Sequence, residues 1–300
     1  MNFPDTSVIH RATETYARTV FTLSDLIASG TSRRQVAAMV RRGHLIHVRR
    51  DRYALPLTDT GILEAVRIGG RLTCLSLLTL LGVFVHDCDE LHVLMTPGTS
   101  RLRAPRSTRV VSHWTTNSAR QPHLHIAQLA DAVAHAVRCQ APRQALATVD
   151  SVVHHRLMSL TQLTAVFAAL PARYRPLLSL VDASSASGPE TYMRLILRAM
   201  GVPFATQVHI ETVGRVDFLV DGWLIIECDS RRFHQGWEKQ VDDRRRDIAA
   251  ARLGYITVRP LAQDILGDHA GVREVFEQII EAFGPRLAPS GRARFSKKSS

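Results

Sequence analysis

Trp223–Cys228 reads WLIIEC and directly follows the pair Asp221–Gly222. A run this short and this apolar, bounded by a turn signal, is a central strand covered on both faces, which calls for a layered α/β arrangement. Asp-Gly between two apolar runs is a strong hairpin signal, because both turn positions favour residues that accept positive φ. RVDFLV (Arg215–Val220) therefore folds back antiparallel to WLIIEC. Upstream, Pro189 starts a helix where its missing N–H costs nothing. Met193, Ile196, Leu197 and Met200 share one face of that helix, and Gly201 ends it. Gln207–Ile210 alternates as another strand, a helix spans about 238–253 up to Gly254, and YITVR (Tyr255–Arg259) returns as a strand. The order is helix, hairpin, central strand, helix, strand.

The acids of this segment fall where an apolar sheet least tolerates them. Asp217 lies mid-strand in RVDFLV, while Glu227 and Asp229 end the central strand. A two-residue turn at 221–222 places Val216 opposite Glu227, leaving Asp217 and Glu227 one position out of register. Two carboxylates that interrupt a buried apolar run are costly unless a cation lies between them. Magnesium or manganese suits an oxygen-only site and keeps waters that can become nucleophiles. The alternative is that Glu227 and Asp229 are ordinary strand-end acids.

Charge points to the partner. The chain carries a net charge of +11, and only Lys239, Lys297 and Lys298 of its 38 cations are lysine. An arginine excess suits bidentate contacts to phosphate and guanine, so DNA is the expected partner; a GC-rich genome also enriches arginine. The excess is densest near the N-terminus, where Thr31–Arg52 holds seven arginines and one aspartate. There Phe21–Ser29 reads as a short helix capped by Ser24, and Ser32 caps a second helix through Arg42. Val36, Met39 and Val40 form the inner face of that second helix, and Arg33, Arg34, Arg41 and Arg42 lie elsewhere on it. Strands at Leu45–Arg49 and Arg52–Ala54 complete the order of a winged helix-turn-helix. The plainer reading is a solvated arginine face.

Between these ends, Leu91–Pro97 and Thr108–Trp114 alternate as strands, and 126–137, 143–154 and 161–169 have helical periodicity. Asp150 and His154, one turn apart beside His155, read as a polar pair on a helix surface. Cys74, Cys88, Cys139 and Cys228 have no paired spacing and no histidine pattern suited to zinc, so reduced thiols and a cytoplasmic location are expected. Neither a leader-like N-terminus nor an 18-residue apolar run is present, so no membrane association is expected. The expected architecture is α/β in the multidomain α+β sense. It comprises a winged helix-turn-helix (1–56), a mixed middle domain (57–182), a nuclease-like α/β domain (183–284) and a disordered basic tail (285–300).

Two family resemblances sharpen these expectations. FTLSDLIASGTSRRQVAAMVRRGHLIHVRRDRYALP, followed by GGRLTCLSLLTLLGV (Gly69–Val83), resembles the N-terminal region of the AbiEi-like antitoxin and regulator family. That resemblance implies sequence-specific DNA binding and a toxin partner. RVDFLVDGWLIIECDSRRFH with DDRRRDIAAARLGYITVRP resembles the short-patch-repair-like endonucleases of the PD-(D/E)xK superfamily, over nearly all of 187–266. It implies a restriction-endonuclease-like fold in which Asp217, Glu227 and the Cys228 carbonyl ligate a magnesium or manganese ion. In the same reading His234 assists proton transfer, Asp229 stands where the superfamily has lysine, and Glu190 reaches the outer shell of the metal. Arg246 and Asp247 take the places of a helix Arg-Asp pair; by charge alone, Arg244 and Arg246 join Arg33, Arg34, Arg41 and Arg42 as expected DNA contacts, the alternative being a solvated helix face. The glycine usual after the Asp229 position is Ser230 here. The expected function is metal-dependent DNA hydrolysis in repair or phage defence. The alternatives are a non-catalytic transcriptional regulator or antitoxin, and a protein-binding adaptor.

Overall fold

The computed structural model describes residues 16, 18–97, 102–106, 109–114, 125–228 and 237–287, and divides between Val181 and Asp182 into two units. Both mix helices with small sheets. No helix of the described residues is long and apolar enough to cross a membrane.

The first unit begins with β1 (Val20–Phe21), α1 (Leu23–Ala28), α2 (Arg33–Arg41), β2 (Ile46–Arg49) and β3 (Arg52–Ala54). Thr22, not Ser24, caps α1: its hydroxyl accepts from the Asp25 N–H, and the Asp25 carboxylate accepts from the Thr22 N–H. Ser24 lies inside the helix. Ser32 caps α2 as expected, in the same reciprocal arrangement with Gln35. Leu26, Val36 and Leu45 bury a small core between the two helices, with Met39 and Val40 packed against it. β1 pairs with β3 as a third strand for which the sequence carries no alternation signal. Val20 and Ala54 lie in the same core as the elements that follow, so these first residues share their interior with the middle of the chain.

That larger core is built by α3 (Thr60–Ile68), β4 (Arg71–Leu72), α4 (Cys74–Leu80), β5 (Leu91–Met95), β6 (Val110–Trp114), α5 (Leu129–Cys139), α6 (Pro142–His154), α7 (Leu160–Ala169) and α8 (Arg175–Leu178). β4 pairs antiparallel and β6 parallel with β5. Asp150 is fully buried on α6 rather than on a helix surface, because that helix is covered along most of its length.

The second unit contains α9 (Gly188–Met200), β7 (Phe204–Ile210), β8 (Gly214–Val220), β9 (Leu224–Ile226), α10 (Trp237–Arg252), β10 (Ile256–Val258), α11 (Ala262–Gly267) and α12 (His269–Leu287). The sheet order is β10-β9-β8-β7, with only the β10–β9 pair parallel. The all-apolar β9 occupies an inner position, as expected. α11 and α12 have no counterpart in the sequence expectations. α12 runs to Leu287, so 285–287, expected as the start of the tail, are helical; residues 288–300 lie outside those described.

The hairpin differs from expectation by one residue. Val220 pairs with Leu224, so the loop holds three residues, with Asp221 and Gly222 both at positive φ (49° and 75°). Phe218 pairs with Ile226, and continuing that register sets Asp217, not Val216, opposite Glu227. The strand then breaks its own alternation. Val216 and Leu219 lie in one core cluster with Ala250 of α10, although residues three apart on a regular strand face opposite sides. The break coincides with Gln207 on β7, whose φ of 54° is left-handed backbone that a non-glycine residue rarely adopts.

Candidate active site

Four polar side chains meet at this irregularity. Glu190 is in the first turn of α9, where Ser187 caps the helix by accepting the Glu190 N–H. Its carboxylate accepts from the Ala186 N–H at 2.9 Å, the Ser187 hydroxyl at 3.0 Å and Gln207 Nε2 at 2.9 Å. The Gln207 amide also hydrogen-bonds Asp217, and Asp217 Oδ2 accepts the Cys228 N–H at 2.9 Å. Glu227 closes the group from the end of β9.

Glu227 is clamped by two arginines. Arg246 of α10 reaches Oε1 at 2.8 Å, and Arg259 reaches Oε2 at 3.2 Å. Arg259 follows β10, and the parallel pairing of β10 with β9 carries it alongside Glu227. Asp247 in turn holds Arg259. Arg246 also donates to the carbonyls of Val213 and Arg215, at 2.8 and 2.7 Å. It is thus engaged within the unit, whereas Arg244 on the same helix is exposed.

Electrostatics follow from burial. Glu190 is only 5% exposed, and burial, reinforced by the Asp217 charge, pushes its carboxyl up to about 7. Burial also raises Asp217, and Glu227 adds repulsion against the lowering effect of the Cys228 N–H. Glu190 and Asp217 therefore form a pair that cannot ionise freely together.

A hard divalent cation fits part of this set. Gln207 Oε1 is buried without a hydrogen-bond partner among the described residues, beside two carboxylates with raised proton affinity. Oxygen donors of this kind suit magnesium or manganese and not a softer ion. Glu227 stands apart, since both its oxygens are occupied by guanidinium groups.

The structure thus brings Asp217, Glu227 and Glu190 together with the Cys228 backbone. Asp229 and His234 lie outside the described residues. Gln207 and Arg259 were not singled out from the sequence. A glutamine in a strand carries no signal, but an arginine directly after the apolar run YITV does. In the first unit, Arg33, Arg34, Arg41 and Arg42 are exposed along α2.

The raised Glu190 carboxyl has a checkable consequence. Well below about 4.5, its ordinary value, the group is protonated folded or unfolded. As pH rises to about 7 the unfolded chain releases that proton while the folded chain retains it, so the fold loses stability across this window and no further above it. Glu190→Gln should therefore gain melting temperature relative to wild type between about pH 4.5 and about pH 7, with the difference constant at higher pH. Thermal melts of the full chain across pH check this; a pH-independent difference would contradict it.

No protein-family model and no curated protein matches this chain.

Proposed function

We propose that the second unit hydrolyses DNA phosphodiesters with a divalent cation, magnesium or manganese, and that the arginine-rich helix α2 of the first unit supplies DNA affinity. The observation that carries this reading is the meeting of Glu190, Gln207, Asp217 and Glu227 at one irregular point of the sheet. A bound cation would neutralise charge on the scissile phosphate and ease deprotonation of a water.

The chain's own residues then divide the work. Asp217 and the Gln207 amide oxygen would hold the cation, and the Cys228 N–H keeps Asp217 oriented. Arg246 and Arg259 fix Glu227 in place. Glu190, hydrogen-bonded to Gln207, is assigned proton exchange at a carboxylate oxygen. In keeping with the resemblance to short-patch-repair-like endonucleases, His234 is assigned proton transfer, and Asp229 takes the lysine's place. Arg33, Arg34, Arg41, Arg42 and Arg244 are assigned to the phosphate backbone.

One observation favours a second reading. The double arginine clamp neutralises Glu227 without any metal, as suits a fold kept for binding alone. The protein would then be a DNA-binding regulator or antitoxin with a toxin partner. Supercoiled plasmid incubated with magnesium or manganese separates the two. We expect nicking that falls at least about a hundredfold in Asp217→Asn, because charge stabilisation by a metal is worth several kcal/mol. Absence of nicking with either metal across pH would leave the binding role.

DNA affinity is tested separately. Each phosphate contact removed should lower the slope of log affinity against log salt by about 0.9. Replacing Arg33, Arg34 and Arg41 together with alanine should flatten the slope by up to about 2.7 on that basis. An unchanged slope and affinity would mark the arginines as bystanders.

A further inference from the structure

Four side chains of the first unit that are distant in sequence converge at one point. Cys74 opens α4, His92 and His113 lie on β5 and β6, and Cys139 closes α5. One ligand atom from each lies within 4.8 Å of all the others. This overturns the expectation that the cysteines have no histidine partners. We propose that Cys74, His92, His113 and Cys139 bind a zinc ion in a closed, structural site.

The sheet explains how two of the ligands meet. In the parallel pairing His92 lies opposite Val111 and His113 opposite Leu94, so both imidazoles stand on the same face, diagonally adjacent. His92 Nδ1 and His113 Nε2 are 3.1 Å apart, and Cys139 Sγ is 3.9 Å from the same Nε2. With Zn–N near 2.0–2.1 Å and Zn–S near 2.3 Å, a tetrahedron has edges of about 3.4 Å between nitrogens and about 3.6 Å between nitrogen and sulfur. Both observed separations fall within about 0.3 Å of these values.

The surroundings are those of a built site. Cys74 and His92 are 0% and 4% exposed, so their polar atoms need partners inside the protein. Cys74 has a φ of 53°, and the hydroxyl of the preceding Thr73 does not cap α4. A left-handed cysteine at a helix start is an uncommon conformation that something must hold. Behind the ligands, His135 stacks on His113 with centroids 4.4 Å apart, and its Nδ1 lies 3.4 Å from Thr73 Oγ1. The stacked ring packs against the His113 imidazole and restricts its rotation.

Other accounts explain less. A proton shared between two imidazoles accounts for the histidine pair but not for two thiols gathered on it. All four cysteines are free thiols, so no disulfide accounts for the pair Cys74 and Cys139. Sulfur and imidazole ligands disfavour magnesium and calcium, and a tetrahedral S2N2 set points to zinc. Four protein ligands leave no open position, which makes the site structural. Its effect is to tie β6, an edge strand, to the ends of α4 and α5.

The full chain, purified without chelator, should carry about one zinc per molecule by elemental analysis. Cobalt(II) in its place should give the intense visible bands of a tetrahedral ion, with near-ultraviolet sulfur-to-cobalt charge transfer. Cys139→Ser, at the exposed ligand, should weaken zinc binding more than about a hundredfold, beyond the range for losing an outer partner. His135→Ala, which removes only a stacking neighbour of one ligand, should weaken it far less than Cys139→Ser, and Cys88→Ser should leave it unchanged. A chain that is folded by circular dichroism yet free of zinc, a cobalt spectrum without charge transfer, or equal zinc affinity in Cys139→Ser would overturn the proposal. So would a Cys74–Cys139 disulfide found by mass spectrometry. If Cys139→Ser fails to fold, the wild-type cobalt spectrum decides alone.

Discussion

Carboxylates buried beside one another repel and lose hydration, and the second unit is organised around offsetting that cost. Glu190 and Asp217 share the problem, and each is given hydrogen-bond donors: backbone N–H groups, the Ser187 hydroxyl and the Gln207 amide. Glu227 receives full charges instead, from Arg246 and Arg259. The first pair keeps a raised proton affinity even so, while both oxygens of Glu227 already carry guanidinium partners. That contrast marks Asp217 and Glu190, rather than Glu227, as the place where a further positive charge would be most stabilising.

The sheet geometry serves the same end. A regular β8 would alternate strictly, yet Val216 and Leu219 enter one core while Asp217 meets Gln207 and the Cys228 N–H. The left-handed Gln207 marks the point where the alternation changes. Strained backbone beside clustered polar groups is a familiar mark of functional positions. Arginines are divided in a comparable way: Arg246 and Arg259 are spent on internal carboxylates, while those along α2 face solvent.

How much of this the sequence discloses depends on the range of the interaction. Apolar period and turn chemistry are local, so α9, β7, β8, β9, α10 and β10 are legible from the Pro189 start, the Gly201 stop and the Asp221–Gly222 pair. Register is less local: one extra loop residue, Trp223, turned an expected offset of the two acids into direct opposition. Helix caps compete over a residue or two, and Thr22 prevails over Ser24 because Asp25 returns its hydrogen bond. The Cys74, His92, His113 and Cys139 cluster was not legible, since its members come from four elements and no two are near in sequence. Only the parallel pairing of β5 with β6, together with the adjoining ends of α4 and α5, assembles it. Arg259 was missed for the same reason, because its partner Glu227 belongs to the neighbouring strand.

The central claim is that the acids around Asp217 take up a hard divalent cation. Calorimetric titration of the full chain with manganese tests it most directly, because binding is read without requiring cleavage. The account predicts a saturable site in the wild-type protein that disappears in Asp217→Ala while the variant remains folded. Equal manganese binding by the two proteins, or none by either, would contradict it.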